Sequence, residues 1–330
     1  MKSRDFDYLL PAELIAQAPP PARDASRLMV APLQGGPIEH RAFADLPRYL
    51  RAGDLLVLND TRVVPARLIL TRSTGGKVEA LLLRRLDSAR WESLLDSGGR
   101  LQPGEVLRLE DGSPCTLGER RRDVWEVSFE AGEGAVDRLG RAPLPPYIKR
   151  APDASDLERY QTVYADRPGS IAAPTAGLHF TPALLDRIAA AGVAIAKVTL
   201  HVGTGTFKPV RAEEVEDHVM EPERYEIPDA TLKAFDRAER VVAVGTTSTR
   251  TLEAWARTGK AAGETNLFIH PPFEFQVVDA LLTNFHLPKS TLLMLVCAFA
   301  GRERVMAAYA EAVKERYRFF SYGDASLWIT

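Results

Sequence analysis

The chain has 330 residues, 45% apolar and 26% charged, with a formal net charge of -2. Its length exceeds one ordinary core and predicts two domains, and its composition excludes disordered and fibrous classes. The near-neutral balance excludes an overall basic field, so a nucleic-acid partner has to be held by local patches.

The first residues, MKSRDFDYLL, meet Asp5 and Asp7 before any apolar run, unlike a secretory signal. LPAELIAQ reads as a short helix stopped by Pro19, Pro20 and Pro21. LVLNDTRVVPARL at 56–68 sets Asn59, Asp60, Thr61 and Arg62 between two apolar runs, as a salt-bridged turn or as a ligand contact. From Ala66 to Gly140 the texture changes. Arg67 to Thr71, Val78 to Arg84, Trp91 to Leu95, Glu105 to Leu109 and Val124 to Phe129 are strand-like, separated by glycine-rich turns, with no helix of normal length. They predict a small antiparallel barrel or sandwich. LGRAPLPPYIKR at 139–150 has the stiffness of a return linker.

Farther on, Thr181 caps a helix that opens with Pro182 and ends at Gly192, and Val193 to Val202 follows as a strand. Asp229 is expected to cap a helix containing Leu232, Phe235 and Ala238; Val241 to Val244 is a buried strand, Gly245 to Thr249 a loop, and Thr251 to Arg257 helical. Ser290 caps an apolar helix ending at Gly301, and Arg302 to Tyr317 is amphipathic, with Val305, Ala308, Tyr309, Ala312 and Val313 inward. The predicted fold is therefore a layered α/β core, 1–65 and 141–330, interrupted by a small antiparallel β-barrel domain at 66–140. The longest apolar stretch, Leu292 to Ala300, is too short to span a bilayer. Cys115 and Cys297 lack metal-ligand spacing and suit a reducing compartment, so a cytoplasmic monomer or weak homo-oligomer is expected.

Three of the six histidines, His179, His201 and His286, lie in segments rich in Thr, Gly and Pro. Loops of that kind present side chains to ligands. His179 precedes a helix start, where a positive field favours a neutral imidazole able to act as base. After His201, Gly203 and Gly205 let a ligand approach the backbone while Thr204 and Thr206 supply hydroxyls. This is no dinucleotide fingerprint, because the third glycine would fall at Lys208. Thr246, Thr247, Ser248 and Arg250 sit at a helix start that favours anions. Asp279 interrupts an apolar segment, either paired for structure or raised in pKa for proton transfer. Neither H-E-x-x-H nor C-x-x-C occurs, and no metal is expected. Arg120 to Arg122, Lys149 with Arg150, and Arg316 with Arg318 are basic clusters; the aromatics interleaved at 317–322 are either packed or available to unpaired bases.

The chain closely resembles the S-adenosylmethionine:tRNA ribosyltransferase-isomerase family of queuosine biosynthesis. The resemblance runs nearly end to end, through GDLLVLNDTRVVPARL, GRAPLPPYIKR, GSIAAPTAGLHFTPALL, VTLHVGTGTFKPV, AVGTTSTRTLE, VDALLTNFHLPKSTLLMLVCAFAG and YRFFSYGDA. It implies an α/β core with an inserted barrel. It also implies S-adenosylmethionine as ribosyl donor and co-substrate, and tRNA carrying 7-aminomethyl-7-deazaguanine at the wobble position as partner. The products are epoxyqueuosine, adenine and methionine, with no metal or redox cofactor. The sulfonium acidifies the adjacent 5′ carbon, so the chemistry asks for a base there and an acid to help adenine leave. On this sequence His179, His201, Asp279 and His286 are candidates for those roles. Thr246, Thr247, Ser248 and Arg250 are candidates to hold the methionine carboxylate, with Gly203, Gly205, Asn59 and Asp60 beside the nucleoside. Glu221, Pro272 and Ser326 stand where the family usually has histidine, glycine and methionine. Two other classes compete: a noncatalytic RNA-binding protein, and a metal-dependent hydrolase with the three histidines as ligands.

Overall fold

The computed structural model describes residues 1–130, 133–203, 210 and 212–330. Strands β1 (Arg27–Pro32), β2 (Glu39–Ala42) and β3 (Asp54–Asn59) begin a core that the chain leaves through β4 (Thr61–Val63). Then β5 (Arg67–Thr71), β6 (Lys77–Arg85), β7 (Arg90–Ser97), β8 (Val106–Arg108), β9 (Pro114–Arg121) and β10 (Val124–Phe129) close into an antiparallel barrel. Helix α1 (Glu133–Leu139) ends it. Helix α2 (Asp156–Arg159) and β11 (Arg167–Ser170) lead back, β11 pairing in parallel with β4. The core resumes with α3 (Pro182–Ala190), β12 (Ala194–Leu200), β13 (Glu223–Glu226), α4 (Asp229–Phe235), β14 (Arg240–Val244) and α5 (Gly245–Thr258). It finishes with β15 (Ala262–Thr265), β16 (Ala280–Asn284), α6 (Thr291–Ala300), α7 (Arg302–Lys314) and β17 (Ala325–Ile329).

The core strands form one sheet in the order β15-β13-β12-β3-β14-β16-β17-β1-β2. β12, β3, β14 and β16 are parallel neighbours, whereas β16 and β17 are antiparallel. Every residue of β3, β14 and β16 is buried, as expected of central strands covered on both faces. The barrel strands instead alternate, with Val78, Ala80 and Leu82 of β6 pointing into the barrel's own core. At the amino ends of β3 and β14, Asp54 and Arg240 pair at 2.5 Å and fasten the two strands together.

The predicted barrel within an α/β fold is what the chain forms, but several local expectations differ. Strand β9 escaped the reading because Gly118 and the run Glu119, Arg120, Arg121 hide its alternation. LPAELIAQ makes only a 3-10 turn at Ala12–Leu14, since Ile15 leaves it to bridge Phe319. Asp229 lies inside α4, capped by Pro228, and Ala238 lies beyond its end. Gly245 to Thr249 is no loop: Gly245, at φ +85°, turns β14 directly into α5. Tyr317 and Phe319 are fully buried and Phe320 packs at a tilt against Tyr147, so this stretch is core rather than a platform for bases.

Candidate active site

The carboxyl ends of β12, β3, β14 and β16 share one edge of the sheet because these strands are parallel neighbours. β1 and β17 run opposite to β16, which brings their lead-in residues Ser26 and Ser321 to Asp324 to the same edge. In open α/β sheets that edge is where ligands bind.

Asn59, at the end of β3, knits the edge together. Its side-chain nitrogen donates to Leu200 O at 3.0 Å and Thr247 Oγ1 at 3.2 Å. Its oxygen accepts from Thr61 N at 3.1 Å and Leu200 N at 3.0 Å. Asn59 is therefore a structural tie between β3, β12 and α5. Asp60 accepts from Thr199 Oγ1 at 2.6 Å, and burial raises its pKa. Next to it, the Thr61 hydroxyl lies 2.9 Å from His201 Nδ1. Among the described residues, the other imidazole nitrogen of His201 has no hydrogen-bond partner. Burial, then the Arg224 cation, lowers the His201 pKa, while Asp60 and Glu226 oppose them more weakly. The ring lies against Gly169, where a Cβ would come within 3.0 Å of it.

His201 lines a cleft of 370 Å³ between the core and the barrel, with Gly203 and Glu223 on the core side and Leu83 and Trp91 on the barrel side. That volume lies within the ordinary range for small-molecule sites, about 300–1,000 Å³. Glu223 accepts from Gly203 N at 2.9 Å and is hydrogen-bonded to Arg250, both side chains being almost completely buried. Arg250 also donates through Nε to Leu267 O at 3.1 Å. It is therefore engaged inside the core, one turn below the start of α5. Ser248 likewise turns back, donating to Val244 O at 2.8 Å.

A smaller cavity, 30 Å³, opens where Thr246 and Thr247 begin α5, opposite Thr175, Thr283 and His286. It shares Val202 with the larger cleft. Val244, at the amino end of α5, offers no capping side chain, so the positive pole of the helix faces this cavity. His286 Nε2 lies 2.8 Å from Thr283 Oγ1, and burial pushes the imidazole pKa down to about 3. His179 sits at the end of the 3-10 turn Thr175–His179, with Nδ1 2.7 Å from Ser26 Oγ and its ring stacked on Phe43. Among the described residues its Nε2 is buried with no hydrogen bond of ordinary geometry, and burial lowers its pKa to about 4, opposed by the nearby Asn284 side chain. Both imidazoles are neutral near pH 7 because they are buried, whereas for His179 a helix field was expected from sequence.

Not every candidate reaches this edge. Asp279 immediately precedes β16 at the opposite end of the sheet, is exposed, and accepts from Val241 N at 2.7 Å. Its carboxylate closes the ladder between two strand starts, which removes it from the proposed proton-transfer set. Thr204, Gly205 and Thr206 lie outside the described residues. Among those described, no group of three His, Cys, Asp or Glu side chains is gathered as a metal would require. Sequence reasoning overlooked Ser26, Gly169 and Asn284, and did not give Glu223 its role. Asn284 is inside the TNFHLPKS segment, whereas Ser26 carries no local signal of its partner 153 residues away. Ser326, in place of the expected methionine, accepts from Trp328 Nε1 at 3.0 Å and donates to Thr283 O at 3.3 Å, beneath His286.

The neutral buried histidines give a pH prediction. Each has an unfolded pKa near 6.5 and a lower folded one, so below that value the unfolded chain binds protons that the native state excludes. Stability should fall as pH drops from about 6.5 toward 4, by up to about 1.4 kcal/mol per pH unit for each histidine. Urea midpoints measured across this window should fall less steeply for His286→Gln than for the wild type. An unchanged slope would contradict a neutral, buried His286.

An α/β core presenting imidazoles and a helix start at the carboxyl edge of its parallel strands, closed on one side by a barrel, defines a two-part enzyme with a composite site. The chain belongs to the queuosine biosynthesis protein family, whose model matches residues 3–328. It is 54% identical over 331 residues to the S-adenosylmethionine:tRNA ribosyltransferase-isomerase of Rubrobacter xylanophilus, covering 99% of this chain and 97% of that one. It is 53% identical over 339 residues to the enzyme of the same name from Thermotoga maritima, covering 99% of each. A crystal structure of S-adenosylmethionine tRNA ribosyltransferase from Thermotoga maritima superposes with a TM-score of 0.57 at 40% identity, over 98% of this chain and all of that one. The family read from the sequence motifs is the one these comparisons show. Among the described residues, no helix is long and apolar enough to cross a membrane.

Proposed function

We propose that this chain transfers the ribosyl moiety of S-adenosylmethionine to 7-aminomethyl-7-deazaguanine at the tRNA wobble position and isomerises it, releasing adenine and methionine and leaving epoxyqueuosine. The observation that carries the reading is the gathering of His201, Thr246, Thr247 and His286 along one edge, beside a cleft of 370 Å³. In this reading the core, 1–65 and 141–330, supplies the chemistry, and the insert, 66–140, walls the cleft.

The nucleoside part of S-adenosylmethionine occupies the cleft against Gly203, and its methionyl carboxylate meets the backbone N–H groups at Thr246 and Thr247. His201 is the base for the proton on the 5′ carbon. Thr61 fixes one of its nitrogens and the other has no partner among the described residues. His286 and His179 are too buried to take a proton readily and act as neutral hydrogen-bonding groups, the first at the small cavity and the second behind it. Asn59 and Arg250 position backbone and Glu223 rather than touch substrate.

The test is direct: incubate the intact protein with S-adenosylmethionine and tRNA bearing the deazaguanine precursor, then measure free adenine and the modified nucleoside. Adenine release that depends on the precursor base is expected. Folded protein that binds this tRNA and releases none would sink the proposal.

A further inference from the structure

We infer that Arg23, Arg159 and Arg318 form a clamp for a backbone phosphate of an RNA strand lying across the carboxyl edge of the sheet. The RNA's identity as tRNA rests on the function proposed above; the clamp itself rests on how these three side chains are partnered. Arg23 donates to Leu178 O at 3.3 Å and Glu158 O at 2.9 Å. Arg159 donates to Pro21 O at 3.1 Å and Pro20 O at 2.5 Å, and Arg318 donates to Ala18 O. All these acceptors are backbone carbonyls, and among the described residues none of the three arginines makes an ion pair. Arginines elsewhere are commonly paired: Arg72 with Glu105 at 2.6 Å, Arg84 with Glu92 at 2.7 Å, Arg257 with Glu253 at 2.7 Å.

Half-buried guanidinium groups crowded around His179, with Glu158 compensating only in part at Arg23 and Asp324 only in part at Arg318, are costly, and a bound anion lowers that cost. Their mutual strain is visible at Arg23, whose pKa is lowered by burial and then by Arg159, with Glu158 compensating only in part. Arg23 and Arg159 line a recess with Tyr322 and His179 whose free volume is only 10 Å³. A methionyl chain does not fit there. An oxygen of a phosphodiester passing over the rim does, and the forked guanidinium matches it. The recess also lies on the turn Thr175–His179, whose first residue faces Thr246 and His286. A phosphate held at the turn's far end therefore sits beside the nucleotide presented to the site.

Binding of an anticodon stem-loop RNA should be followed by fluorescence anisotropy over a range of salt for the intact protein and for Arg23→Gln, Arg159→Gln and Arg318→Gln. Each is expected to weaken binding about tenfold at low salt and to lower the slope of log K against log salt, with the triple variant losing about 0.7 to 1, the share of one phosphate. Arg318→Lys should keep the slope. The KM for S-adenosylmethionine should not move. Arg318, with a single side-chain contact to backbone, is least tied to packing, and melting curves identify any variant that fails to fold. Unchanged salt slopes in the folded variants would overturn the clamp, as would intact RNA binding with a raised KM for S-adenosylmethionine. Failure of the function proposed above would read out differently, as wild-type protein that binds the RNA and releases no adenine.

Discussion

His201→Gln should lower kcat by about a hundred- to ten-thousand-fold, the usual contribution of a positioned general base, with KM for S-adenosylmethionine changed only a few-fold. Glutamine keeps the size and a hydrogen-bonding group toward Thr61 but cannot take the proton. The wild-type imidazole is half-buried beside Arg224, which holds its pKa below the ordinary value, so it remains unprotonated at neutral pH and stays competent into mildly acidic solution. The acidic limb of kcat/KM should therefore lie below the usual imidazole range, and it should disappear in His201→Gln. Thr61→Val gives the complementary result, because the base survives while its orientation is lost: kcat falls less and the limb persists. Turnover near wild type in folded His201→Gln would remove His201 from this role.

The parts of this site that were legible in the sequence are those carried by short, chemically unusual segments. VTLHVG and GTTSTR each put their polar residues directly after an apolar strand, and parallel pairing then aligns the strand ends without further information. The barrel was legible because its turns are rich in glycine and its strands alternate. What the sequence hid were partnerships between distant segments. Nothing local in RDASRL says that Ser26 meets His179, and nothing in FQVVDALL says that Asp279 begins its strand at the wrong end of the sheet for catalysis. The same applies to GTTSTRT itself, where Thr246, Thr247, Ser248 and Arg250 were all expected to meet the ligand. Helical geometry turns Ser248, Thr249 and Thr251 back onto carbonyls one turn earlier, which leaves Thr246 and Thr247 at the cavity.

Glu223 carries the largest expected effect on stability. Its carboxylate is hydrogen-bonded to Arg250, a residue only 3% exposed, and also accepts from Gly203 N at the floor of the cleft. Glu223→Ala leaves that cation buried without its counter-charge, a loss expected to cost about 3–5 kcal/mol. Denaturant unfolding of the variant should show it. Replacing both partners, with Glu223→Ala and Arg250→Met together, removes the uncompensated charge and should restore most of the stability. Activity should behave differently. The double variant still lacks the acceptor for Gly203 N, so the backbone against which the nucleoside is proposed to lie is no longer fixed, and KM for S-adenosylmethionine should stay raised although the protein is stable. Recovery of both stability and KM would show the ion pair to be packing alone, whereas recovery of stability without KM assigns Glu223 to positioning the cleft.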